Sequence, residues 1–259
     1  MTTLDVRPEP GSAPVTRRVL AHARLELSMM LRNGEQLLLT IVVPLGLLLG
    51  LSLSTVVDLG VPNLRSARLD LVVPGMLALA VLSTAFTGLA IQTGFERRYG
   101  VLKRLGATPL SRNGLLSGKA VAVLAVEAGQ CVVLGGTGFL LGWRPNPAGL
   151  AIAFVLIVLG TAAFASLGLL LAGTLRAEAT LAGANVVYLL LVAAGGIVIP
   201  LAQLPEAAQP WVELLPSAAL AEGLRTALIH GGLAVSDVLV LTVWLAMGAL
   251  STARWFRWD

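Results

Sequence analysis

Long apolar runs recur along the chain, each about the length a helix needs to cross a layer of hydrocarbon. A core about 30 Å thick takes roughly 20 apolar residues in helical form. Runs of this kind extend from Gln36 to Val57, Leu71 to Phe95, Leu115 to Leu141, Ala148 to Leu175, Leu181 to Pro200 and Asp237 to Ala253. Residues 201–232, between the last two, are semi-polar and leave room for short re-entrant helices. Of the 259 residues, 56% are hydrophobic and only 12% charged, about half the charge of an ordinary soluble domain. A solvated globular surface cannot be assembled from that composition. Cys131, the single cysteine, lies inside an apolar run, so a disulfide framework is excluded. The expected fold class is all-α: a polytopic membrane protein with six transmembrane helices, spanning residues 36–255.

Two segments precede the first run. Residues 1–14 contain Pro8, Pro10, Pro14, Gly11 and Ser12 and read as a disordered tail. No short apolar core with a small-residue cleavage site precedes Gln36, so no signal sequence is expected. Residues 15–33 have the pattern of an amphipathic helix. Val19, Leu20, Ala23, Leu27, Met30 and Leu31 recur at helical spacing, and Arg17, Arg18, Arg24 and Arg32 supply a basic side. Such a helix lies in the headgroup plane as an elbow into the first span.

The net charge of +4 and pI near 10.0 could suit nucleic acid, but the positions of the charges argue otherwise. With the amino end inside, the inner segments hold Arg7, Arg17, Arg18, Arg24, Arg32, Arg97, Arg98, Lys103, Arg104, Arg112, Arg176, Arg254 and Arg257. The outer segments hold Arg65, Arg68, Arg144 and Arg225, and Lys119 is expected to snorkel inward from the third span. Thirteen against four, with Lys119 completing the 18 basic residues, is a positive-inside bias. Both termini are expected in the cytoplasm, in a multi-pass protein of the plasma (cytoplasmic) membrane, with no nucleic-acid partner.

One inner stretch stands apart, Glu96-Arg97-Arg98-Tyr99-Gly100-Val101-Leu102-Lys103-Arg104-Leu105-Gly106-Ala107-Thr108-Pro109-Leu110-Ser111-Arg112. It mixes both charge signs and has a helical period at Val101, Leu102 and Leu105. Gly100 and Gly106 allow sharp entry and exit, and Thr108-Pro109 provides a stop.

Together with Pro74-Gly75-Met76 opening the second span, and Phe86 and Gly88 further along it, this stretch resembles the membrane subunit of ABC-2 type transporters, in the daunorubicin or multidrug exporter-like branch. The resemblance covers most of the chain, and its most specific part is Glu96 to Pro109. It implies a permease subunit of an ATP-driven exporter for a hydrophobic or amphipathic substrate such as a drug, antibiotic or lipid. By position, Glu96, Arg97, Arg98, Gly100, Lys103, Arg104 and Pro109 would form the coupling segment, 96–112, that meets a separate ABC ATPase subunit. That partner would bind ATP and Mg, leaving no cofactor on this chain. A second permease copy, or a paralogous permease, would complete the path in the bilayer. The chain departs from the family at Gly195-Gly196 before Pro200, where members often carry Ser-Gly, so external-gate geometry is not carried over.

Gly114 to Ala120 comes nearest to a nucleotide loop. It is one residue short between its glycines, ends in Ala120 and opens a membrane span, so the energy must come from another chain. An intramembrane enzyme would need a nucleophile and a base at membrane depth. The two histidines, His22 and His230, lie outside the spans, and one buried carboxylate, Glu127, cannot form an aspartyl pair. An ion-coupled carrier usually has more intramembrane ionisable groups and an internal repeat, which this chain lacks.

Within the spans, Ser83, Thr84, Thr87, Gly88, Ile91 and Gln92 form a stripe of small and polar side chains that suits helix packing or a weakly polar path. Gly46 and Gly50 form a Gly-x-x-x-Gly pair, and the resemblance places the first and fifth spans at the dimer axis. Asn185 and Tyr188 share a face of the fifth span. Glu127 sits near mid-bilayer in the third span, either hydrogen-bonded to a neighbouring helix, with Asn185 or Tyr188 as partners, or bordering a substrate path. Trp143, Trp211, Trp255 and Trp258 fall near span ends, as headgroup anchors do.

Overall fold

The computed structural model describes residues 13–54 and 65–256, and among these it contains only helices and the turns between them. The expected tail, the end of the first span at Val57, and Trp258 lie wholly or almost wholly outside the described residues. The helices are α1 (Val15–Arg32), α2 (Gly34–Leu53), α3 (Arg65–Val81), α4 (Leu89–Arg98), α5 (Val101–Gly106), α6 (Arg112–Leu140), α7 (Leu150–Thr174), α8 (Ala177–Ala194), α9 (Gln209–Val212), α10 (Pro216–Arg225) and α11 (Val235–Trp255). Seven residues of π-helix, Leu82–Gly88, join α3 to α4 without a break.

Five helical stretches are long and apolar enough to cross a membrane: Arg65–Arg98, Arg112–Leu140, Pro147–Thr174, Ala177–Ala194 and Val235–Trp255. In α2 the apolar portion is shorter, Thr40–Leu53. The α3–π–α4 rod forms the axis of the bundle. Its most apolar window is 89% buried, against 17% for α8 and for α11. At 1.5 Å per residue its 34 residues extend about 51 Å, well beyond a hydrocarbon core, so the rod carries Glu96, Arg97 and Arg98 out at the end of the bundle where α1 lies. We call this the basic end.

Around the rod, α7 packs against α11 and α1 lies along α6, with α2 against α3 and α10 among α3, α7 and α11. Small residues set these approaches. At Gly168 in α7 a Cβ would fall 2.8 Å from the Phe86 carbonyl oxygen, so α7 reaches the π segment backbone to backbone. Two buried arginines satisfy carbonyls that the helices leave open. Arg68 donates to the carbonyls of Leu51 and Ser54 at the end of α2, at 2.8 and 2.6 Å from Nη2.

At the far end the structure alters two expectations. The fifth span stops at Ala194 rather than Pro200, because Gly195-Gly196 breaks the helix, with Gly196 at a φ of 68°. The carbonyls released there are not left bare. Arg225 Nη1 donates to Gly196 O and Nη2 to Ile197 O, both at 2.8 Å, while Nε reaches Leu71 O at 3.3 Å and Glu222 balances the charge at 2.6 Å. Hence α10 is buried inside the bundle, and Arg225 with it. Trp143 is also buried, packed beside Gly138 and Val73, so it is a core residue and not a headgroup anchor. Trp211 and Trp255 are exposed.

Candidate functional site

The most elaborate polar construction is at the basic end. Gly100 adopts a left-handed φ of 70°, which lets the chain leave α4 and reverse into α5 without a Cβ clash. Leu102 is buried and anchors the short helix, while Lys103, Arg104 and Pro109 are exposed. Thr108 Oγ1 donates to Leu105 O at 2.6 Å, and Ser111 caps α6 by accepting from Gly114 N at 3.1 Å. Arg97 Nη2 donates to Leu175 O at 2.5 Å, and Arg98 pairs with Glu178, so both bind the α7–α8 connection. Arg18 of α1 donates to Pro109 O.

Glu96 turns the other way. It joins a buried cluster with His22 and Glu26 of α1, Gln92 of α4 and Lys119 of α6. Lys119 Nζ is 2.6 Å from Glu96 Oε2 and 2.8 Å from Glu26 Oε1. Gln92 Nε2 donates to both carboxylates, at 2.7 Å to Glu26 and 2.9 Å to Glu96. His22 Nε2 lies 3.3 Å from Glu26 Oε1. Lys119 is 1% exposed, so it pairs within the protein and does not snorkel to the interface: two carboxylates on neighbouring helices meet its ammonium where the snorkelling route would run. Burial pushes the Glu26 carboxyl above its ordinary range against the pull of Lys119. Burial, and then Lys119, pushes the His22 imidazole below its own. The helix α1 thus turns His22, Ala23, Glu26 and Met30 inward and leaves Leu20, Leu25, Met29 and Leu31 exposed. Arg17, Arg24 and Arg32 are exposed beside them, and a mixture of apolar and basic groups suits a helix lying in the headgroup plane.

A groove of about 510 Å³ opens on another face, lined by Asn33, Thr40, Val43, Ser83, Thr87, Gly88, Ile91, Leu181, Asn185 and Tyr188. The structure therefore brings Ser83, Thr87, Asn185 and Tyr188 together, with the π segment as one wall. Thr84 points elsewhere, to Gln130 of α6, whose Nε2 donates to it at 2.9 Å and to Thr40 O at 3.2 Å. Asn185 donates to its own helix at Leu181 O. Glu127 meets neither Asn185 nor Tyr188. Its Oε2 accepts from Thr161 of α7 at 2.5 Å, because its direction on α6 is toward α7 while α8 lies beyond the rod. Beside the groove, Gly46 and Gly50 are exposed, with nothing among the described residues within 4 Å of a Cβ at either.

The family described as "ABC-2 type transporter" matches residues 18–229, from within α1 to just beyond α10. The chain belongs to the ABC-2 type transporter family. It is 25% identical over 228 residues to a Bacillus subtilis (strain 168) protein described as "Putative transport permease YvfS", covering 86% of this chain and 90% of that one. Neither match singles out the daunorubicin-like branch. The helical bundle and the crossing helices agree with a polytopic ABC-2 protein of transport function.

Within this ABC-2 chain, sequence reasoning missed Glu26 and His22 and misjudged Lys119. The signal was present: His22 and Glu26 are four residues apart and interleave with Ala23, Leu27 and Met30. Charged groups on the core-facing side of a helix require partners, and Lys119 and Glu96 are the charges at matching depth.

Proposed function

We propose that the chain is the permease subunit of an ATP-driven exporter. It would sit in the cytoplasmic membrane with the basic end and both termini in the cytoplasm, and pair with a second permease copy and two separate ABC ATPase subunits. The observation that carries the reading is the construction at the end of the central rod. Lys103 and Arg104 project from α5 and form no ion pair or side-chain hydrogen bond among the described residues. Arg97 and Arg98 tie the same segment to α8, and Glu96 ties it to α6 and α1 through Lys119. A push on α5 would therefore reach the rod, α1, α6 and α8 together. Gly100 and Pro109 define the ends of the lever.

The groove along Ser83, Thr87, Asn185 and Tyr188 supplies the path, with Thr84 bracing its wall through Gln130. The unoccupied face at Gly46 and Gly50 is where a second copy would pack, closing the groove from the other side. Few charges border the groove, which suits a hydrophobic or amphipathic cargo such as a drug or lipid. ATP and Mg would be held by the ATPase, whose closure would shift the permease dimer between two packings.

Copurification with an ATPase tests this directly. The double variant Lys103→Glu/Arg104→Glu should lose ATPase recruitment and export while the permease itself stays folded, because these side chains steer association. Adding Arg97→Glu and Arg98→Glu should deepen the loss. Full recruitment and export by the double variant would overturn the coupling role.

A further inference from the structure

A second cavity, of about 430 Å³, lies between α6 and α7 on a different face from the groove. Its origin is a run of short side chains on α6, Ala128, Cys131 and Gly135, opposite the long ones of Phe154 and Ile157 on α7. Ala128 and Phe154 are exposed, so the trough opens toward the surrounding lipid. Glu127 lines it. This residue lies 15 positions from Arg112 and 13 from Leu140, about 22 and 20 Å along the helix, and hence near the middle of the membrane.

Glu127 is 1% exposed, Thr161 engages its Oε2, and its Oε1 has no hydrogen-bond partner among the described residues. Among the described residues no basic side chain pairs with it. The contrast with Glu26 and Glu96, which share Lys119, is internal to the same protein. A carboxyl at this depth with one hydroxyl partner is costly and normally faces a cation or a functional cavity. The chemistry missing from the trough is a positive charge with hydrogen-bond donors. The volume falls within the range of sites for drug-sized molecules, and the remaining walls are almost entirely apolar.

We propose that the α6–α7 trough binds a lipophilic ammonium ion from the membrane, with its N–H donating to Glu127 Oε1 and its apolar body lying against Phe154 and Ile157. The site does not depend on the export reading, since it lies away from the α2–α8 groove and needs no ATPase.

The test uses the purified full chain in phosphatidylcholine nanodiscs and two probes, dansylcadaverine and the matching dansyl alcohol in which a hydroxyl replaces the amine. Trp143 lines the trough, so tryptophan-to-dansyl energy transfer reports occupancy. The amine should give a saturable signal at least tenfold tighter than the alcohol, and Glu127→Gln should weaken the amine at least tenfold while leaving the alcohol unchanged. Gly135→Leu should also abolish the saturable signal. It fills the trough with Glu127 intact, and nothing lies within 4 Å of a Cβ there, so it serves even where Glu127→Gln fails to assemble. Equal amine binding by wild type and either variant, equal binding of amine and alcohol, or no saturable signal above protein-free nanodiscs would each overturn the proposal.

Discussion

Lys119 Nζ lies 2.6 Å from Glu96 Oε2, joining the start of the third span to the last turn of the second. The same ammonium is 2.8 Å from Glu26 on α1. One buried cation thus fixes three segments that are far apart in sequence, at the point where the chain turns toward α5. A buried charge is weak evidence for net stability, because desolvation offsets attraction, but breaking such a group leaves uncompensated charge.

Lys119→Met should therefore destabilise the permease by about 3–5 kcal/mol, since two buried carboxylates would lose their shared partner. Combining it with Glu26→Gln and Glu96→Gln should restore most of the melting temperature in detergent. In the proposed complex, the restored triple variant should hydrolyse ATP but export poorly, because neutral contacts hold α4 and α1 to α6 less firmly. Export at wild-type level by the triple variant would remove the cluster from the coupling route.

The cluster also sets a pH dependence. His22 is held below its ordinary value of 6.5 by burial first and Lys119 second, so below pH 6.5 the unfolded chain takes up this proton more readily than the folded one. Its contribution is fully present above 6.5 and is lost as pH falls through the window beneath it. Glu26 is raised above its ordinary 4.5 by burial, so its contribution runs the opposite way and falls as pH rises above 4.5. The melting temperature of His22→Gln should drop less than that of wild type between pH 7.5 and 5.5. Identical profiles for the two proteins would contradict this assignment.

At the far end, Gly75 faces the turn that follows α8. A Cβ there would collide with the Ile197 carbonyl oxygen and sit 3.1 Å from Arg225 Nη2. Gly75→Ala should cost about 1–3 kcal/mol by overpacking, despite the better helix propensity of alanine. Thermal unfolding measures it, and a variant as stable as wild type would mean that the 195–200 turn yields easily.

The paired glycines of α2 make the opposite case. Among the described residues nothing lies within 4 Å of a Cβ at Gly46 or Gly50, so Gly46→Leu/Gly50→Leu should leave protomer stability almost unchanged. If a second copy packs there, the double variant should run as a monomer in detergent cross-linking and lose export. An unaltered dimer would place the interface on another face.

Much of this protein was determined by local sequence alone. Hydrophobic length places most of the crossing helices, since hydrocarbon leaves backbone groups no partner outside the helix, while the apolar part of α2 is shorter than its run and Gly195-Gly196 ends α8 before Pro200. Gly100, Thr108 and Ser111 specify the turns around α5 through φ and capping, which depend on near neighbours. The short helix α5 and its bracketing turns were accordingly legible in the sequence. Tertiary structure decided where each polar side chain ended up. It sent Glu96 inward and Lys103 outward within one segment, separated Thr84 from Ser83 and Thr87, and drew Arg225 into the bundle. It also gave Glu127 to Thr161 and not to the fifth span. The reason is physical: in a low-dielectric interior a charged or polar group is placed by the partner that can reach it, and helical periodicity fixes the face of one helix without saying which helix lies opposite.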